Sequence, residues 1–219
     1  MNNQQLKLLM DKNFNKIFNI VNKELNIKKP KIYTVNTNRQ FVKLYNSKTL
    51  FAAKIDEKTG QNYAAVSLML YNEIIFNINN VDKKNIKDEI LLFICHELWH
   101  LYENSHYSLE NRESKESFGE KLLLRENQIK NLNSKYYMQI KNYMYQYLRK
   151  KYLTDYKVKM QIEYLLQEFE ISALSFSLAC RNEAPLFHII FKEIYDIDTL
   201  SIYKNLENIK WTQNSSMIL

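Results

Sequence analysis

Phe93-Ile94-Cys95-His96-Glu97-Leu98-Trp99-His100-Leu101 is the stretch on which the reading of this chain turns. It contains the pattern His-Glu-x-x-His. On a helix, residues four apart lie one above the other, so His96 and His100 share a face. Two neutral imidazoles so placed can hold one Zn²⁺. Glu97 lies about 100° round the same turn, where a carboxylate reaches a water at the metal without being a ligand itself. Two ligands and a general base are what metal-assisted peptide hydrolysis requires.

The plain alternative is a helix with two satisfied histidines and a solvated glutamate. The chain has only 4 His, so a pair at this offset with Glu between them is uncommon by composition. The flanks also oppose the alternative. Ile90, Leu91, Leu92, Phe93, Ile94, Leu98, Trp99 and Leu101 make the helix apolar nearly all round, which marks a buried helix. A buried carboxylate and two buried imidazoles need partners, and a metal supplies them. Cys95 reads as a small buried apolar residue.

Catalytic zinc usually takes three protein ligands and keeps one position open. Two residues compete for the third place. His106 stands at His-Glu-x-x-His-x-x-Glu-x-x-His, the spacing of the metzincin motif, but Glu103 occupies the position where that motif has the glycine that lets the chain turn back to the metal. If the helix continues, His106 lies about 240° round from His100 and cannot join it. The other candidate is Glu170, in Gln167-Glu168-Phe169-Glu170-Ile171-Ser172-Ala173-Leu174-Ser175-Phe176-Ser177-Leu178-Ala179-Cys180. No charge follows Glu170 in that run, and Ser172, Ala173 and Ser175 are small enough to let another helix approach. A carboxylate at the edge of a buried run needs a partner. Glu168 is about 200° away on the same helix and is expected to face solvent; Glu163 shares the face of Glu170 and is a reserve choice. Glu170 is the preferred ligand.

With these residues in place, the chain resembles the ImmA/IrrE family of zinc-dependent peptidases, in the gluzincin group. The resemblance is carried by Ile74-Ile75-Phe76-Asn77-Ile78-Asn79, by the lead-in Leu91-Leu92-Phe93-Ile94-Cys95 to His96-Glu97-Leu98-Trp99-His100, and by Glu170-Ile171-Ser172-Ala173. It covers roughly Ala64–His106 and Tyr164–Pro185. Trp99 stands where the family often has glycine, and the glutamate helix follows later here than is usual. The resemblance implies a zincin-like fold and a narrowly selective regulatory protease that cleaves a repressor or similar protein partner. It also implies an edge strand that pairs with an extended substrate, for which Glu73–Ile78 is the expected segment.

The flanking chain fits one α+β domain spanning residues 1–219. Leu6, Leu9, Met10, Ile17, Val21 and Leu25 recur at helical spacing and predict a helix from about Asn3 to Leu25, ended by Pro30. Short runs rich in Val, Ile, Tyr and Phe follow at Ile32–Val35, Phe41–Tyr45, Leu50–Ile55, Tyr63–Leu70 and Glu73–Ile78. They predict a small sheet with a hairpin turn at Gly60. Asp82 is the expected cap of the metal-site helix, which runs to about Asn104. A mainly helical half comes next, with helices at Glu113–Asn131, Lys135–Tyr152, Lys157–Cys180 and Pro185–Tyr195, the last with proline in its first turn.

The net charge of +7 is localised. Between Lys130 and Met160 stand eight basic residues (Lys130, Lys135, Lys141, Arg149, Lys150, Lys151, Lys157, Lys159) and one acid, Asp155, so this segment alone accounts for the excess. It belongs to a basic, Tyr-rich helical insertion at about 112–160. Basic residues interleaved with tyrosines can bind nucleic acid. The favoured reading is a solvated helix face whose tyrosines pack on the domain.

The 2 Cys do not suggest a disulfide scaffold. No signal-peptide pattern opens the chain and no apolar run is long enough for a membrane span, so a cytoplasmic protein is expected. The expected function is zinc-dependent hydrolysis of a peptide bond in a specific protein partner, with Glu97 as general base and with Tyr164 or His188 as candidate oxyanion donors. The rivals are a DNA-binding or protein-interaction module built on the basic segment, and a metzincin-like peptidase with His106 as third ligand.

Overall fold

A computed structural model describes residues 2–48, 63–106, 142, 143, 146 and 168–211. The chain is α+β and mostly helical. In chain order the described elements are α1 (Asn3–Leu25), β1 (Lys31–Val35), α2 (Asn38–Lys48), β2 (Ala65–Leu68), β3 (Glu73–Asn77), α3 (Ile86–His106), α4 (Glu168–Ala179), α5 (Pro185–Tyr195) and α6 (Thr199–Glu207). The chain divides into two compact units, Met1–His106 with Phe176–Leu219, and Tyr107–Ser175. The division runs through α4. The expected hairpin at Gly60, the strand at Leu50–Ile55, nearly all of the basic insertion and Tyr164 lie outside the described residues.

The first unit is built on α1, whose Leu6, Leu9, Met10, Phe14, Ile17, Phe18, Val21 and Leu25 are buried. The Asn2 side chain accepts from Gln5 N while the Gln5 side chain accepts from Asn2 N, a reciprocal cap. The helix spans the expected Asn3–Leu25, and Asn26 caps it ahead of Pro30. Asn26 adopts the left-handed conformation (φ 48°) and its N–H donates back to the Asn22 carbonyl. Asparagine tolerates that conformation because its short polar side chain bonds locally.

The sheet has the order β1-β3-β2. β3 runs parallel to β1, with Ile32 opposite Ile74 and Thr34 opposite Phe76, and antiparallel to β2, with Val66 opposite Ile75. Every residue of β3 is buried, as its near-continuous apolar run Ile74-Ile75-Phe76 requires of a strand covered on both faces. Phe76 meets Phe93 of α3 on one face, centroids 6.5 Å apart. Ile75, pointing the opposite way, packs with Val35, Leu68 and Phe41 on the other. Glu73 is buried at the start of the strand, where Lys48 pairs with it at 2.5 Å and the Tyr33 hydroxyl donates to it at 3.1 Å.

Two sequence expectations change here. Phe41–Tyr45 is part of helix α2, not a strand. Phe41, Leu44 and Tyr45 recur at three and four residues, which places them on one helical stripe, and that stripe covers the second face of the sheet. Thr37 starts the helix, its hydroxyl accepting from Gln40 N at 3.2 Å and its carbonyl from Phe41 N. The second correction concerns β3. It is the central strand, with neighbours on both sides, so it has no free edge with which to pair a substrate. Among the described residues, β2 is an outer strand of the sheet, and it packs against α3.

A candidate metal centre

α3 begins after a polar turn. Asp82 is not its cap. Its carboxylate accepts from Lys84 N at 2.9 Å within the turn, and the Asn85 carbonyl takes the first helical bond, from Glu89 N. From Ile90 on, the helix is buried on nearly every side, with Ile90, Ile94, Cys95, Leu98 and Trp99 fully enclosed. The expected end at Asn104 moves to His106.

The rotation of α3 is set by Trp99. Its ring stacks on Phe176 at 4.7 Å and meets Phe191 at 4.9 Å and Tyr195 at 5.0 Å edge to face. Sequence reading found Trp99 only as an apolar flank of the motif. Its partners come from α4 and α5 and carry no local signal. With Trp99 turned into this aromatic nest, His96 and His100 share another face of the helix, about 60° and 100° away from it.

The two imidazoles converge. His96 Nε2 and His100 Nε2 are 3.1 Å apart and the rings are nearly perpendicular, at 84°. Glu170, 5% exposed, completes a group in which His96, His100 and Glu170 each offer one ligand atom, all within 4.8 Å of one another. Glu170 is held on α4, whose Ser172, Ala173, Leu174 and Ser175 are buried. Glu97, the residue between the two histidines, is also buried, at 5% exposure.

The donor set fits a metal ion. Two imidazole nitrogens and a carboxylate oxygen are the ligands that borderline divalent cations take. Nitrogens about 2.0–2.1 Å from one ion sit about 3.1–3.4 Å apart at angles of about 100–110°, and the observed Nε2 separation falls at that spacing. His100 and Glu170 are buried and His96 is half-buried, and ionisable groups this close together are stabilised by a cation or by shared protons among them.

His106 does not belong to the group. α3 stays helical through it, so the absent glycine at Glu103 has the consequence expected of it. His106 is exposed, and its Nδ1 is 3.0 Å from both the Tyr102 carbonyl and the Ser105 hydroxyl. His188, expected as a candidate oxyanion donor, is spoken for within the fold. Its Nδ1 bonds Thr199 Oγ1 at 2.8 Å and its Nε2 bonds Asn182 Oδ1 at 3.0 Å, which leaves neither nitrogen for a substrate. Burial lowers its pKa from the ordinary 6.5, with the nearby Asp198 carboxylate opposing.

Cys95 is buried, with the buried thiol of Cys180 beside it. Burial pushes the Cys180 thiol well above its ordinary range, and the Cys95 contact adds to this. Among the described residues, no helix is long and apolar enough to cross a membrane.

No protein-family model, curated protein or solved structure matches the chain. What the site can do therefore follows from its own chemistry.

Proposed function

We propose that this protein is a zinc-dependent endopeptidase of zincin-like fold, with His96, His100 and Glu170 as metal ligands and Glu97 as general base. The observation that carries the reading is the convergence of the two motif histidines with one buried carboxylate that lies 70 positions beyond His100 in the chain. A glutamate that merely balanced a lysine would not be expected against two imidazole nitrogens.

A zinc ion held there supplies Lewis-acid polarisation of a carbonyl and acidifies water to a pKa of about 7. The residues of the chain do the rest. His96 and His100 orient their Nε2 lone pairs toward a common point. Glu97 is one residue from His96 and outside the ligand set, a position that suits it to take a proton from the attacking water and return it to the leaving amine. Its burial raises the strength of that interaction by excluding bulk water. The resemblance to the ImmA/IrrE peptidases supports a protein substrate, a repressor or similar regulator, over a small molecule. If an extended substrate adds to the sheet, the strand to receive it is β2, which among the described residues is an outer strand and lies beside α3.

The decisive experiment measures metal content and turnover together. Purified protein is expected to carry one zinc per chain and to cleave peptides from a mixed library. Glu97→Gln is expected to retain the zinc and lose about 10²–10⁴-fold in rate. A protein that binds no zinc, or a Glu97→Gln variant as active as the parent, sinks the proposal.

A further inference from the structure

We infer that Glu103 is a positioning residue for the metal centre: its carboxylate, lying beside Nδ1 of His100, favours the tautomer with the proton on that nitrogen. The inference rests on the metal reading above. His100 presents Nε2 to His96 at 3.1 Å, and on the other side of its ring Nδ1 faces Glu103 Oε2 at 3.9 Å.

A neutral imidazole has one N–H and one lone pair. His100 can offer Nε2 as a ligand only if its proton sits on Nδ1. A carboxylate 3.9 Å from Nδ1 stabilises that arrangement electrostatically. The pair is partly shielded from solvent, with side-chain exposures of 10% for His100 and 18% for Glu103, so screening weakens it less than at an open surface. Glu103 is three residues after His100 on the same helix, the spacing at which helical side chains meet. The pattern that matters is thus His-Glu-x-x-His-x-x-Glu. The residue that stops a three-histidine motif by keeping the helix going also orients the second histidine.

The test is a long-range proton–nitrogen correlation spectrum of the ¹⁵N-labelled full chain after chelation, paired with zinc affinity measured by competition with a chromophoric chelator. With 4 His in the chain, the ring signals can be assigned by substitution. The parent is expected to show His100 as Nδ1–H. Glu103→Ala is expected to shift His100 toward Nε2–H and to weaken zinc about 10–100-fold. Glu103→Gln keeps the shape and a carbonyl acceptor, so it is expected to recover part of both. Unchanged tautomer and unchanged zinc affinity in Glu103→Ala overturn the inference, as does a Gln variant no better than the Ala one. A parent that binds no zinc overturns the metal reading instead, and the metal-free spectra still decide whether Glu103 governs His100.

Discussion

The indole of Trp99 stacks on the ring of Phe176, with centroids 4.7 Å apart and planes inclined by 27°. This contact ties the metal-site helix α3 to the C-terminal half of α4. Phe176 is six residues, or about 9 Å of helix, beyond Glu170. Trp99 pays for its place with a buried indole N–H that lacks a hydrogen-bond partner among the described residues, and ring contacts of about 0.5–1.5 kcal/mol each offset that cost.

Trp99→Ala is expected to lower stability by about 3–5 kcal/mol, because it removes a fully buried ring from a nest that cannot collapse around the gap. Trp99→Phe keeps the stacking surface and should lose clearly less. Urea unfolding followed by far-UV circular dichroism measures both. Equal losses would show that the stack on Phe176 is not what matters.

For the third ligand, zinc retention after dialysis separates the two candidates. Glu170→Ala is expected to lose about a factor of 10 or more in affinity, because one of three protein ligands is gone. His106→Ala should keep the metal, since His106 is exposed and bonded within its own helix turn. Loss in the His106 variant alone would reverse the assignment. Saturating zinc at about 100 times its dissociation constant should also stabilise the parent by about 2.7 kcal/mol, read as a raised unfolding midpoint.

His188 makes stability depend on pH in a known direction. Its folded-state pKa lies below 6.5, so the unfolded chain takes up the proton more readily. The stabilisation from the neutral ring is complete above about pH 6.5 and is lost as the pH falls below that value through the folded pKa. Between about pH 7 and pH 5 the parent should therefore lose more stability than His188→Gln, with denaturant midpoints as the measure. Parallel profiles would show that the ring bound to Thr199 and Asn182 does not titrate differently on unfolding.

Cys95 and Cys180 should be silent to an aromatic disulfide reagent in the folded protein and react fully in denaturant. Both are 1% exposed or less, and burial holds the Cys180 thiol well above its ordinary pKa. Rapid reaction of either thiol under native conditions would contradict their place beneath the motif helix.

Several elements were legible in the chain because their signals are local. α1 and α5 follow from apolar residues at helical spacing, with proline in the first turn of α5. β1 and β3 follow from compact apolar runs, and the all-round apolar flanks of His96-Glu97-Leu98-Trp99-His100 identified a buried helix. Glu170 could be picked out because a carboxylate bordering an uncharged run needs a partner. Other features depend on residues far apart in sequence. The aromatic composition of Phe41–Tyr45 reads as strand, yet the open face of the sheet takes it as a helix. β3 becomes central only when β1 and β2 pair with it. His188 lost its candidate role because Thr199 and Asn182 claim both ring nitrogens. The sequence by itself determined which residues could hold a metal, through residue type, spacing and the cost of burying charge. Only the tertiary structure decided that His96, His100 and Glu170 meet within 4.8 Å, because the packing that brings α4 to α3 is long-range and leaves no periodic trace in either helix.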